Sequence, residues 1–223
     1  MTDDMHTLIA TVDSWTAFRA EGRQSDPPPE AEVALAIRAL GSLGESARPA
    51  VPAIIRAMHA NQGSMGDSAG QALGRIGGET AIRELNRIWY SGWDRTLCAA
   101  CHGALTELGE HAHPALLAVL DGGSPLEQVR ALRSLRVSGY SQPDLVARAA
   151  ARLEVFESPM LESLITFFGT IDAPEAVPSA LSALQTIGGG HSPQVTHTGA
   201  LASEVIWRLS ERHAEQAAAR PPS

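Results

Sequence analysis

The sequence predicts an all-α fold, a right-handed α-solenoid of stacked antiparallel helix pairs, and three observations carry that prediction. Apolar residues recur at helical spacing through most of the 223 residues. A short motif returns at a fairly regular interval along the chain. No segment shows the Val, Ile and Thr alternation of a strand.

The motif is clearest where Leu43-Gly44-Glu45-Ser46-Ala47-Arg48-Pro49-Ala50 returns as Leu108-Gly109-Glu110-His111-Ala112-His113-Pro114-Ala115, with six of eight positions identical at an offset of 65. Ile76-Gly77-Gly78-Glu79-Thr80-Ala81-Ile82 is a weaker copy between them, and Phe168-Gly169-Thr170-Ile171-Asp172-Ala173-Pro174 opens another. Taking Val51, Ile82, Leu116, Leu145 and Val177 as equivalent gives steps of 31, 34, 29 and 32 residues. One helix pair cannot bury its apolar faces alone, whereas stacked pairs share a core.

The elements follow in order. A capping helix is expected over about 4–20, then a proline-rich linker at 24–29. Five pairs follow near 30–60, 65–90, 95–120, 125–153 and 159–187. In each first helix the apolar face is regular, as in Ala36, Ile37, Leu40 and Leu43, or Ala69, Ala72, Leu73 and Ile76. Gly44, Gly77, Gly109 and Gly169 are expected to end first helices in a left-handed conformation, and the fourth unit, with Leu132, Leu135 and Val137, lacks that glycine. Second helices carry Val51, Ile54, Ile55 and Met58, or Ile82, Leu85, Ile88 and Trp89; Pro52 and Pro178 fall in first turns, where proline is tolerated. An irregular loop at 188–193, a closing helix over about 198–213 and a frayed tail at 220–223 complete one domain, 1–223.

Ala39-Leu40-Gly41-Ser42-Leu43-Gly44 and Ala72-Leu73-Gly74-Arg75-Ile76-Gly77 share an Ala-Leu-x-x-(Leu/Ile)-Gly pattern, which the first unit continues with Ala47, Pro49, Ala50, Val51 and Pro52. This pattern resembles HEAT repeats, and its short, Ala- and Gly-rich form is similar to the bacterial HEAT-like repeats also found in phycobilin lyases. The resemblance covers roughly residues 30–187. It implies an α-solenoid that offers surfaces to other macromolecules, and it is nearly silent on function.

Charge narrows the partners. Seventeen basic residues, all Arg, stand against twenty-five acidic ones, a net charge of −8. That balance opposes non-specific nucleic-acid binding, which draws its affinity from cations on phosphates. Mean hydropathy is −0.05 and no apolar run reaches a membrane span of about 20 residues. Asp3, Asp4 and Asp13 precede the first Arg, unlike a secretory leader, and two cysteines make no disulfide framework. The expectation is a cytoplasmic protein without cofactor or membrane contact.

Three motifs could carry chemistry. Cys98-Ala99-Ala100-Cys101-His102 matches the Cys-x-x-Cys-His haem-attachment signature, yet Cys101 stands in register with Ala36 and Ala69, where small residues pack helices together. The same two thiols with His102, His111 and His113 could suit zinc, but those last two replace Ser46 and Arg48 at turn positions. Trp93-Asp94 resembles part of the Trp-Asp-x-x-Asp pattern of HEAT-like alkylpurine DNA glycosylases; Leu97 stands where the second Asp belongs. No Lys is present for a Gly-x-x-x-x-Gly-Lys phosphate loop.

The surface points elsewhere. Counting from Val51 and Ile82, Arg56 and Arg87 are equivalent, as are His59 and Tyr90. With Arg83 and Trp93 they make an Arg and aromatic ladder, the composition that anchors protein interfaces. The residues thus favour a non-catalytic protein-binding scaffold acting through Arg56, His59, Arg83, Arg87, Tyr90 and Trp93. The alternatives are a HEAT-like enzyme, such as a glycosylase or bilin lyase, and a haem or metal protein.

Overall fold

A computed structural model describes residues 2–21, 29–60, 65–89, 95–153, 160–188 and 196–218. Every regular element among them is helical and none is a strand. Most of the linker at 24–29, most of the loop at 188–193, and Tyr90, Trp93 and Asp94 lie outside the described residues, as does the tail at 220–223. No helix among the described residues is long and apolar enough to cross a membrane.

The chain divides into two compact units, one of residues 1–121 with 137–139, the other of residues 122–136 with 140–223. The first contains α1 (Thr2–Glu21), α2 (Glu30–Ser42), α3 (Val51–Ala60), α4 (Gly66–Ile76), α5 (Glu79–Trp89), α6 (Arg95–Leu108) and nearly all of α7 (His113–Gly122). Short 3-10 segments, Gly44–Ala50 and Gly109–Ala112, join α2 to α3 and α6 to α7. Helix α2 packs on α4 and α4 on α6, while α1 packs on both α2 and α3.

The faces that pattern marks as apolar make this core. Ile37, Leu40, Leu73, Ile76, Ile54, Met58, Leu85 and Ile88 are completely buried, whereas Leu43, Ile55 and Trp89 are half-buried. Small residues let the first helices approach closely. A Cβ on Gly41 would lie 2.8 Å from Cα of Ala72, and one on Gly74 would lie 2.8 Å from Cβ of Ala104. Gly41 and Gly74 are 33 residues apart, Ala72 and Ala104 are 32 apart, so one packing device recurs at successive interfaces.

The second unit holds most of α8 (Pro125–Val137), then α9 (Gln142–Ala150), α10 (Met160–Phe168), α11 (Val177–Gly188) and α12 (Thr196–Ala218). Ser124 caps α8: its backbone N–H and hydroxyl both donate to Glu127 Oε2, at 2.8 and 2.7 Å. Gln142 at the start of α9 latches the turn after α10, its Oε1 accepting the N–H groups of Asp172 at 3.0 Å and Ala173 at 2.9 Å. Arg212 on α12 donates to the Gly169 carbonyl at 2.7 Å, and α12 packs on α10 and α11.

Two glycine expectations need correction. Gly44, Gly77 and Gly109 have φ of 55, 64 and 50°, but Gly169 is not among the positive-φ glycines. Its requirement is space: a Cβ there would meet the Thr166 carbonyl and a Val205 methyl, both at 3.3 Å. The segment expected to lack such a glycine, in turn, has one. Gly139 adopts φ 81°, and the Tyr140 N–H reaches back to the Leu135 carbonyl at 2.9 Å, the bond that closes a Schellman motif.

Candidate functional site

Four of the six residues expected to bind a partner fall within the described structure, and all four engage carboxylates. Arg56, exposed on α3, donates through Nη2 to Asp13 of α1 at 2.6 Å. Arg83, exposed on α5, pairs one helical turn back with Glu79 at 3.4 Å. His59 and Arg87 share a third carboxylate, Glu84. Tyr90 and Trp93 lie outside the described residues.

The Glu84 cluster bridges α3 and α5. Arg87 grips the carboxylate with two donors, Nε to Oε2 at 3.0 Å and Nη2 to Oε1 at 2.7 Å. His59 Nε2 approaches Oε1 at 2.6 Å and Arg87 Nη2 at 2.9 Å. One nitrogen cannot donate to the carboxylate and accept from the guanidinium together. The shorter contact identifies Nε2 as the protonated nitrogen, because a bare lone pair so close to a carboxylate oxygen would be repelled. Only 15% of the Glu84 side chain is exposed, against 40% of Arg87.

Burial alone would raise the Glu84 pKa, but hydrogen bonds from Arg87 and His59, with their charges, outweigh it and hold the carboxyl below its ordinary value. The same hydrogen bond raises the Arg87 pKa further. An ionised carboxylate with both oxygens occupied is a poor proton acceptor, so the cluster suits structure and recognition better than acid–base chemistry. Sequence reasoning missed Glu84. Its signal was present: counting from Val51 and Ile82, Glu84 replaces the buried Ala53, and an acid in register with a core alanine needs partners.

The Cys-x-x-Cys-His motif begins beside this cluster. Cys98, half-buried, directs its thiol to the Ile88 carbonyl at 3.7 Å, and the His102 ring meets Trp89 edge-on with centroids 5.0 Å apart. Cys101 is completely buried, and both thiols are free. Desolvation, reinforced by Cys98 and Glu84, pushes the Cys101 thiol up to about 12. A haem tethered through both thiols would require Cys101 to leave the core, so the motif does not fit that group. Among the described residues no three His, Cys, Asp or Glu side chains gather as a metal site. His113 instead contacts the Ser138 carbonyl at 3.1 Å, a bond in which its Nε2 is the donor.

Cys101→Ala, which installs the residue found at Ala36 and Ala69, is expected to lower unfolding stability by no more than about 1 kcal/mol in a denaturant titration. Iodoacetamide at pH 8 should label Cys98 and spare Cys101 in the folded protein, because a thiol with so high a pKa stays protonated there. Rapid labelling of Cys101 would contradict both its burial and its raised pKa.

No protein-family model matches the chain, and no curated protein matches it in sequence.

Proposed function

We propose that the chain is a HEAT-like α-solenoid of five helix pairs with a capping helix at each end, and that it serves as a non-catalytic cytoplasmic scaffold binding another protein. The repeated close packing of Gly41 on Ala72 and of Gly74 on Ala104 supports the repeat reading, since the same device joins successive first helices. The functional reading rests on one observation, the repeated Arg positions on α3 and α5 and the pairs they make.

The Arg56–Asp13 and Arg83–Glu79 pairs are solvent-exposed on both sides. Such pairs contribute only about 0–1 kcal/mol, so carboxylates on a partner can replace Asp13 and Glu79 at little cost. Arg87 sits in a deeper bond network with Glu84 and His59. Neither Glu84, with both oxygens occupied, nor Cys101, buried and protonated, is available as a base or nucleophile.

The test is capture from an extract of the source cells on immobilised wild-type protein and on an Arg56→Glu, Arg83→Glu double variant. A protein retained by the wild type and reduced at least tenfold by the variant, with unchanged circular dichroism, supports the proposal. Equal retention by both proteins overturns this surface, and no retained protein overturns the binding role.

A further inference from the structure

The first unit contains an open cleft of about 690 Å³ along the edge where first helices turn into second helices. It is separate from the Glu84 cluster and owes its existence to a difference in turn length. From Gly44 to Val51 is seven residues, and from Gly109 to Leu116 is also seven. From Gly77 to Ile82 is only five. The outer turns therefore carry the 3-10 segments Gly44–Ala50 and Gly109–Ala112, whereas Gly77 and Gly78 alone separate α4 from α5. A short turn between two longer ones leaves a trench with a glycine floor.

The trench carries both signs of charge on two of its three sides. Glu45 and Arg48 belong to one wall, Arg75 and Glu79 flank the floor, and Glu107 and His111 belong to the other wall. Ile82, Leu108 and Pro114 add apolar surface between them. Its volume falls in the range of ligand-binding pockets, roughly 300–1,000 Å³. A purely anionic ligand would meet like charge on each side, and a purely cationic one on two of them. An extended polypeptide bearing both signs can set each side chain against its opposite.

We propose that this trench binds an extended peptide segment of mixed charge from a partner protein. This deepens the protein-binding reading and rests on it, while placing the contact away from Arg56; Arg83 borders the trench through its pair with Glu79. The shortened turn acts as a built-in gap in an otherwise regular edge. Ala118, exposed on α7 and lining the trench, offers a way to fill it without touching the core.

The experiment presents the full-length chain to a displayed library of random ten-residue peptides. Peptides that carry both acidic and basic residues should be enriched. Their affinity should fall at least tenfold in Ala118→Trp and at least threefold in Arg75→Glu, and stay unchanged in Arg56→Glu, since neither Arg56 nor its partner Asp13 lines the trench. Thermal melts identify any variant that fails to fold, and the Arg75 substitution, at an exposed position, keeps the test valid if the Trp variant does. No enrichment, peptides of one charge sign only, or binding indifferent to both trench variants would each overturn the inference. Peptide binding lost in Arg56→Glu but kept in both trench variants would overturn the trench and leave the protein-binding reading standing.

Discussion

Gly74→Val will destabilise the first unit by about 3 kcal/mol, although valine is a better helix former than glycine. A Cβ at this position would lie 2.8 Å from the Ala104 Cβ and 3.1 Å from the Ala104 Cα, and the second of these belongs to a helix backbone. Neither atom can swing aside. Relief requires α4 and α6 to separate, which loosens the packing around Leu73, Ile76 and Leu105, all fully buried. The control is Gly103→Ala on the same α6, where an added Cβ meets nothing within 4 Å. There the propensity gain stands alone, and stability should rise by roughly 0.5–1 kcal/mol. Denaturant titrations of both variants check the pair. If Gly74→Val is neutral, the close approach of α4 and α6 is wrong.

The same glycines show how much of the fold was legible in the sequence. Helix positions were readable because each face repeats its apolar residues at helical spacing, and burial at Ile37, Leu40, Leu73 and Ile76 follows from it. What a glycine is for was less readable. Gly139 serves as a helix-ending residue two positions beyond Val137, where a fixed register did not look for it. Gly169 occupies the expected place in the motif but answers to the approach of Val205 from α12, a residue 36 positions away. Backbone conformation is local and leaves a local trace; close packing between distant helices does not.

The site divides along the same line. Arg56 and Arg87 were visible as one repeated position, His59 as the equivalent of Tyr90 and Arg83 as a neighbour of Arg87 on one helix face, yet the partners of Arg56 and His59 were not. Asp13 lies 43 residues from Arg56 and Glu84 lies 25 from His59. The trench was written in the sequence as uneven spacing, steps of 31 and 34 residues around Ile82. Its meaning needed the neighbouring turns in place, because a missing pair of residues makes a cleft only between walls.

Glu84→Gln will cost about 2 kcal/mol at neutral pH, since hydrogen bonds to a charged group are worth roughly 1.5–3 kcal/mol and the amide cannot accept all three donors. The variant leaves Arg87 and His59 competing for one carbonyl oxygen in a site where little of residue 84 is exposed. The effect should depend on pH in a defined direction. Burial works against the charge of Glu84, but the Arg87 and His59 hydrogen bonds lower its folded pKa below the ordinary 4.5. Such a group contributes its full stabilisation above the unfolded pKa and loses it as pH falls through the lower, folded value. The stability gap between wild type and Glu84→Gln is therefore expected to narrow progressively as pH falls below 4.5. Added salt should shrink it only in part, because Arg87 is reached by solvent while Glu84 is largely shielded. Thermal melts of both proteins across that range provide the measurement. A gap that widens as pH falls below 4.5 would mean that Glu84 is already protonated in the folded protein, and that the cluster is not held together by its charge.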